Sequence, residues 1–201
     1  MSGLPLETER LILRNWREED SAPFAALNAD ARVMEFFPRA LFREESGALL
    51  ARQRSAIAET GIGLYAIEEK GSSKFLGFAG LAPVAFAAPF APATQIAWRL
   101  AREAWGSGYA TEAVQAVIAH AFGTLGLSEL VAFTTEWNKR SRRVMEKVGM
   151  VRDEGGDFLH PDLPPDHTLA RHVLYRIPRG RGPQEDSAAG SVSTRPRRKP
   201  T

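Results

Sequence analysis

The sequence predicts an α+β protein built on one mixed, mostly antiparallel sheet that is flanked by about four helices. Two features of the segment order lead to this fold class. Strands joined by a hairpin connection come early in the chain, and a strand–helix–strand crossover comes later. The length of the chain is consistent with this fold class, because 201 residues, of which 44% are hydrophobic, are enough for one domain with a sizeable core. A chain that is disordered throughout is therefore excluded.

The predicted strands are short segments in which apolar, β-branched and aromatic residues dominate. They cover residues 9–16, 63–69, 75–81, 93–100, 129–135 and 171–177. Two connections stand apart from these strands. Residues 83–93 are too rich in proline for a central strand, and residues 155–168 are a long unstructured segment for a compact domain. Loops of this kind often carry function, so we expect them to shape a binding site.

Helical periodicity is strongest over residues 109–125, where apolar side chains recur on one face. Three further helices are predicted: one after the acidic residues 18–20, one over 41–59 and one over 138–148. The first of the three carries apolar residues at helical spacing, at Phe24, Leu27, Ala31 and Met34. The helix over 109–125 connects two strands, which makes it the crossover of the sheet.

Charge and composition exclude several classes of function. The net charge is +2, but the segment 179–201 holds six basic and two acidic side chains, which leaves the remainder at −2. A near-neutral body gives no support for nucleic-acid binding. With no cysteine, the chain has no disulfide, thiolate nucleophile or cysteine metal cluster. No segment is typical of a signal peptide or a membrane span, so we expect a cytoplasmic protein.

A glycine-bearing turn leads into the strongest helix, in the segment Trp-Gly-Ser-Gly-Tyr-Ala-Thr-Glu of residues 105–112. Without a Cβ atom, Gly106 and Gly108 let a ligand approach the backbone, and the free N–H groups of a helix start attract an anion. The segment is therefore a candidate pyrophosphate site. An ordinary glycine turn is the alternative that the spacing leaves open.

Three well-known motifs do not match this turn. A P-loop requires a lysine after its second glycine, and none follows here. The dinucleotide fingerprint would place its third glycine at Thr111, and a nucleophile elbow around Ser107 would need glycine at Trp105. Kinase, dehydrogenase and serine hydrolase interpretations are therefore disfavoured.

Two segments together resemble the GNAT acetyltransferases, and within them the RimJ/RimL-like (ribosomal-protein-alanine acetyltransferase) branch. They are WRLAREAWGSGYATEA at 98–113 and NKRSRRVMEKVGM at 138–150. The resemblance implies a GNAT domain over residues 1–178, followed by a basic tail, 179–201, whose composition predicts disorder. It also implies acetyl-CoA as donor, an amine as acceptor and no metal. The implied acetyl-CoA-binding residues are Trp98, Leu100, Trp105, Gly106, Ser107, Gly108, Tyr109, Ala110, Asn138 and Arg143. The family pattern Gln/Arg-x-x-Gly-x-Gly/Ala is matched at Gly108 and Ala110, with Trp105 at its first position.

The resemblance further implies direct transfer. A neutral amine attacks the thioester carbonyl, a base removes the amine proton, and an acid stabilises the departing CoA thiolate. Where many members carry a tyrosine as that acid, this chain has Met145, and Ser141 is the hydroxyl that fills the role. Both Asn138 and Ser141 have a purely structural alternative. Asn138 could serve as the N-cap of the helix, and the Ser141 hydroxyl could bond to the preceding turn. Candidates for a general base are Glu35, Glu136 and His160 by residue type alone, and activation through water is an equal alternative.

The sequence therefore predicts an acetyl-CoA-dependent N-acetyltransferase that acts on a primary amine. A non-catalytic acyl-CoA-binding module is the main alternative, and a dinucleotide-dependent oxidoreductase is a weaker one. The acceptor class stays open among a protein N-terminus, an antibiotic, a polyamine and an amino-acid metabolite. A monomer and a homodimer are both consistent with the sequence. His160 and His167 with nearby aspartates match no zinc spacing, so we expect no metal site.

Overall fold

The computed structural model describes residues 4–180, and it confirms the α+β prediction. Its strands are β1 (Leu6–Glu7), β2 (Leu11–Arg14), β3 (Leu64–Glu69), β4 (Phe75–Pro83), β5 (Thr94–Leu100), β6 (Glu129–Thr135), β7 (Val151–Leu159) and β8 (Arg171–Pro178). The helices within this range are α1 (Ser21–Ala29), α2 (Arg43–Thr60), α3 (Tyr109–Gly123) and α4 (Lys139–Lys147). All strands join one sheet in the order β1-β2-β3-β4-β5-β6-β8-β7.

The crossover helix α3 lies against the centre of this sheet. Its apolar face is fully buried at Ala113, Val114, Val117 and Ala121, as the periodicity predicts. Burial of each valine contributes roughly 1.5–3 kcal/mol, so this face is a major source of stability. The helix starts directly after the glycine turn, and its position on the core therefore fixes where that turn lies.

The sheet divides between β5 and β6, which form its parallel pair. The two strands are paired at Gln95 and Val131, near their amino ends. No further pairing joins them in the part of the chain that the structure describes, so their carboxyl ends separate. A ligand site in a sheet of this type is expected outside the carboxyl ends of such strands.

Two strands differ from the sequence prediction. The predicted loop over residues 155–168 is shorter, because β7 continues to Leu159 and pairs with β8. Residues 154–157 stand opposite Val173 alone in a bulge that includes Gly155 and Gly156, and this glycine pair hides the strand pattern. Strand β1 was not predicted, because two residues are too few to show alternation.

The first helix is also shorter than its periodicity predicts. It ends at Ala29, and Asp30 adopts an extended backbone. The Asp30 carboxylate accepts a hydrogen bond from the Arg32 backbone N–H at 2.8 Å, which stabilises a turn instead of another helical turn. Met34 is nevertheless buried, because the connection between α1 and α2 folds back on the core.

The predicted tail falls almost entirely on residues 181–201, which lie outside the described residues. Arg179 still makes ordered contacts: its backbone N–H donates to the Ser128 carbonyl and its Nη2 to the Phe122 carbonyl. Among the described residues, no helix has both the length and the apolar character needed to cross a membrane.

Candidate active site

A cleft of about 290 Å³ opens where the carboxyl ends of β5 and β6 separate. Its walls come from β5, the glycine turn, the first turn of α3, helix α4 and the connection between α1 and α2. The proposed catalytic Ser141 and all of the implied acetyl-CoA-binding residues except Ser107 line it. These are Trp98, Leu100, Trp105, Gly106, Gly108, Tyr109, Ala110, Asn138 and Arg143. Residues from three separate segments thus meet in one cleft.

The glycine turn has a backbone that favours glycine at two positions. Gly106 has φ +79° and Gly108 has φ +82°, both in the left-handed region. A Cβ atom built on Gly106 would meet nothing within 4 Å, so the turn faces open space. The first intrahelical bond of α3 runs from the Glu112 N–H to the Gly108 carbonyl, which leaves the preceding N–H groups free for an anion.

Side chains from the connection between β1 and β2 support this turn on the side away from the cleft. Arg10 donates from Nη1 to the Ser107 carbonyl at 3.0 Å and from Nε to the Glu112 carboxylate at 2.7 Å. Burial alone would raise the pKa of Glu112, but hydrogen bonds from Thr8 and Arg10 bring it below its usual value. Glu112 is therefore an ionised anchor for Arg10, and Ser107 supports the turn through its carbonyl without lining the cleft.

The chain has three tyrosines, and each hydroxyl is engaged within the protein. Tyr109, which lines the cleft, donates to Glu69, and this bond raises the pKa of Tyr109. Tyr65 donates to the Gly61 carbonyl at 2.7 Å, and Tyr175 donates to Glu146 at 2.9 Å. No tyrosine is thus free to protonate a leaving group.

At the start of α4, Asn138 and Ser141 differ in how they are bonded. The Asn138 Oδ1 accepts from the Ser141 backbone N–H at 3.2 Å, and its Nδ2 donates to Thr134 Oγ1 at 3.0 Å. Asn138 is therefore an N-cap whose amide oxygen and amide nitrogen are both hydrogen-bonded. The Ser141 hydroxyl has no hydrogen-bond partner among residues 4–180, and Met145, one turn on, is buried in the core. Ser141 offers a free hydroxyl to the cleft.

Helix α4 presents three cations to the cleft, at Arg140, Arg143 and Lys147. Their spacing of three and four residues places them on one helical face. The same spacing in the sequence could have identified Arg140 and Lys147 beside Arg143, which the resemblance had implied. The Arg140 guanidinium lies 4.2 Å from the Trp105 ring centroid. Arg142 points elsewhere and donates to the Tyr175 hydroxyl at 3.2 Å. The face is suited to a polyanionic ligand.

The three candidates for a general base do not line the cleft. Glu35 is paired with Arg140, and Glu136 contributes its backbone carbonyl to Arg142. His160 lies among phenylalanines, 4.6 Å from Phe86 between ring centroids. In the described part of the chain, the cleft lining contains neither aspartate, glutamate nor histidine. Arg99 and Thr111 line it too, although sequence reasoning did not single them out.

The connection between β4 and β5 packs through aromatic rings against β6, β8 and the end of β7. The cluster consists of Phe86, Phe90, Phe133, Phe158, His160 and His172. Burial lowers the pKa of both histidines, so they are mainly neutral at pH 7. The Nδ1 atoms of His160 and His167 each accept a local backbone N–H. Over residues 4–180, no three histidine, aspartate or glutamate side chains are grouped to hold a metal ion.

Comparison with known families shows the family of the domain. A family model described as an acetyltransferase (GNAT) domain matches residues 10–151. The chain belongs to the GNAT acetyltransferase family. Acetyl-CoA-dependent N-acetylation is general to this family, so the chain is an acetyltransferase enzyme. The oxidoreductase and non-catalytic alternatives are set aside on this ground.

Relatives in Bacillus subtilis (strain 168) share most of the domain. This GNAT acetyltransferase is 30% identical to YkkB over 146 residues, which cover 72% of this chain and 84% of YkkB. It is 28% identical over 156 residues to YoaA, which is named as an N-acetyltransferase; the match covers 74% of this chain and 83% of YoaA.

Solved structures share the fold at lower identity. A GNAT-family acetyltransferase from Bacillus anthracis superposes with a TM-score of 0.72 at 23% identity, covering 86% of this chain and 97% of that one. RimJ from Mycobacterium smegmatis, solved with CoA-disulfide, gives a TM-score of 0.66 at 20% identity, covering 84% and 82%. These likenesses support the eight-stranded GNAT fold.

Proposed function

We propose that this GNAT acetyltransferase binds acetyl-CoA in the cleft between β5 and β6 and transfers its acetyl group to a primary amine by direct attack. One observation carries the proposal: the glycine turn, the basic face of α4 and the free Ser141 hydroxyl meet in a single cleft. Each feature by itself has a structural explanation. Together they fit a ligand such as acetyl-CoA, which has phosphates at one end and a reactive thioester at the other.

The residues present fit the anionic part of acetyl-CoA. The positive φ of Gly106 and the open space around it let a pyrophosphate approach the backbone N–H groups at the start of α3. Arg143 and Lys147 add positive charge on the facing helix. Trp98 and Leu100 on β5 offer a strand surface for the extended pantetheine chain, and Asn138 positions the start of α4.

Ser141 is the residue proposed to assist the departing sulfur. Acetyl-CoA supplies a thioester, whose acetyl carbon bonds to the amine nitrogen while the sulfur leaves as a thiolate. The Ser141 hydroxyl donates a hydrogen bond to this developing charge, because no tyrosine hydroxyl is free to do so. Since the lining holds no carboxylate or imidazole, the proton lost by the amine passes to water.

The branch and the acceptor are narrower proposals. The motifs of residues 98–113 and 138–150 favour a RimJ/RimL-like enzyme, and the structural likeness to RimJ supports this assignment. On that basis the acceptor is the amine of a protein N-terminus or of a small molecule. The half-buried cation Arg99 in the cleft lining favours a small-molecule acceptor.

The test combines binding with turnover. Isothermal titration with CoA, with NAD as a control ligand, is expected to show binding of CoA alone. Thiol release from acetyl-CoA is then measured with a panel of primary amines, and at least one amine is expected to accelerate it. Absence of CoA binding, or thiol release that no amine accelerates, would refute the proposed function.

A further inference from the structure

Arg99 is a cation without a matching anion. It lies on β5 between Trp98 and Leu100 and lines the cleft. Its Nη1 donates to the Asn28 side-chain oxygen at 2.5 Å. Its Nε is enclosed without a hydrogen-bond partner, and none of the ion pairs formed within residues 4–180 includes Arg99. Nη2 also has no hydrogen-bond partner within residues 4–180 and is not enclosed, so it is the guanidinium nitrogen that a carboxylate in the cleft can reach.

The surroundings of Arg99 are apolar. Its Cζ atom lies 4.1 Å from the Phe37 ring centroid and 5.4 Å from that of Phe78. Burial lowers the pKa of Arg99 to about 10, so the side chain is still protonated at pH 7. Arg99 is half-buried by accessible surface, and a charge in apolar surroundings is unfavourable unless a counter-charge compensates it. Such groups concentrate at functional sites.

Arg99 faces a different part of the cleft from the residues assigned to acetyl-CoA. Side chains alternate along a strand, so Arg99 lies on the opposite face of β5 from Trp98 and Leu100. Its contacts, Asn28 and Phe37, belong to α1 and to the connection after it. That connection also lines the cleft with Val33 and Phe36. The cation is therefore on the side left open for an acceptor.

The other cations of the cleft are already assigned. Arg143 and Lys147 are proposed to meet the phosphates of acetyl-CoA, and Arg140 is paired with Glu35. Within the described lining, Arg99 is thus the cation that has neither a paired carboxylate nor a proposed phosphate. A polycationic acceptor such as a polyamine would be disfavoured beside it, and an acceptor with a negative group would be attracted.

We propose that Arg99 binds a carboxylate of the acceptor, so that the substrate is an amine that also carries a carboxylate, such as a free amino acid or a short peptide. This inference rests on the proposed function. The guanidinium donates from Nη2 to a carboxylate oxygen, and the acceptor amine is oriented toward Ser141 across the same cleft. Asn28, Phe37 and Phe78 hold the guanidinium in place.

The experiment compares acceptors that differ in the carboxylate alone. Free L-amino acids and dipeptides are each paired with their C-terminal amides, and kcat/KM is measured for both. The wild type is expected to favour the carboxylates by about 10- to 100-fold, the range of a hydrogen bond to a charged group. Arg99→Met should abolish that preference, while the KM for acetyl-CoA and the rates with amides stay within about twofold of wild type.

Matched variants and a binding measurement complete the design. Arg102→Met removes an exposed arginine three positions along that does not line the cleft, and it should behave as wild type. Arg99→Lys keeps the charge but loses the planar guanidinium, so its preference for carboxylates over amides should be intermediate. This variant also provides the test if Arg99→Met does not fold. Titration of N-acetyl amino acids, beside their amides, into the CoA-bound protein gives a readout independent of turnover.

The outcomes separate the two proposals. Acetylation of amines without preference for a carboxylate leaves the proposed function intact and refutes the role of Arg99. A raised KM for acetyl-CoA in Arg99→Met assigns the guanidinium to the cofactor and also refutes it. If no amine accelerates thiol release, both proposals are wrong.

Discussion

Glu35 Oε2 lies 2.9 Å from Arg140 Nη2, and this pair joins the α1–α2 connection to α4 across 105 positions of sequence. Arg140 in turn lies over the Trp105 ring at the beginning of the glycine turn. Three separate walls of the cleft are thereby connected at one side chain. A carboxylate considered as a base from the sequence is thus a partner of a cleft-lining cation.

The first prediction is that Glu35→Gln preserves both stability and turnover. Both side chains are about half exposed, so the pair contributes at most about 1 kcal/mol, and the melting temperature should fall by no more than about 2–4 °C. Turnover should change less than about twofold. A fall in kcat on the order of 100-fold, with binding unchanged, would instead identify Glu35 as the general base.

The second prediction separates Ser141 from its neighbour Asn138. Ser141→Ala should lower kcat on the order of 100-fold without changing CoA affinity or the melting temperature, because its hydroxyl has no partner within residues 4–180. Asn138→Ala should cost about 1 kcal/mol of stability through loss of the N-cap. Steady-state kinetics, calorimetry and thermal unfolding of both variants test this. Unchanged kcat in Ser141→Ala would remove the hydroxyl from the mechanism.

The third prediction concerns Gly108, for which the chain provides a close control. Gly108 and Gly126 have φ values of +82° and +73°, and an added Cβ would lie 3.5 Å and 3.6 Å from an arginine Nη2 atom. Valine at either position should therefore strain the backbone to a similar extent. Only Gly108→Val should weaken CoA binding strongly, because only Gly108 lines the cleft. Equal CoA affinities for the two variants, measured by calorimetry, would contradict the phosphate assignment.

The fourth prediction follows from the basic face of α4. If Arg143 and Lys147 meet phosphates, neutralising them should weaken CoA binding and reduce its dependence on salt, since screening acts on the charges removed. CoA dissociation constants are compared for wild type, Arg143→Gln and Lys147→Gln between low and physiological salt. Arg102→Gln, which removes an exposed charge outside the cleft, is the control. Parallel salt dependences in all four proteins would argue against phosphate contact.

The fifth prediction is a loss of stability on mild acidification. Burial lowers the pKa of His120, His160 and His172 below the ordinary value of 6.5. The unfolded chain therefore binds more protons just below pH 6.5, and the free energy of unfolding should decrease from pH 7.5 to 5. His172→Phe should reduce this slope. Urea unfolding at several pH values measures it, and a slope that is unchanged by the substitution would contradict the prediction.

Local features of the sequence predicted much of the fold and the outline of the site. The apolar periodicity of residues 109–125 is a property of neighbouring residues, and α3 begins at Tyr109 as predicted. The glycines before it and the spacing of Asn138 to Ser141 are local as well. Strand β7 was hidden because the Gly155–Gly156 bulge is stabilised by pairing with β8, which lies further along the chain.

The sequence by itself determined the fold class, the glycine turn and the residues whose pattern resembles GNAT acetyltransferases, because helix periodicity, turn chemistry and motif spacing act over a few positions. Tertiary structure alone decided which charges are paired. Glu35 meets Arg140 across 105 positions, whereas Arg99 reaches Asn28 across 71 positions and finds no carboxylate in the described chain. Electrostatic pairing depends on distance in space and on burial, and neither quantity is fixed by neighbours in the sequence.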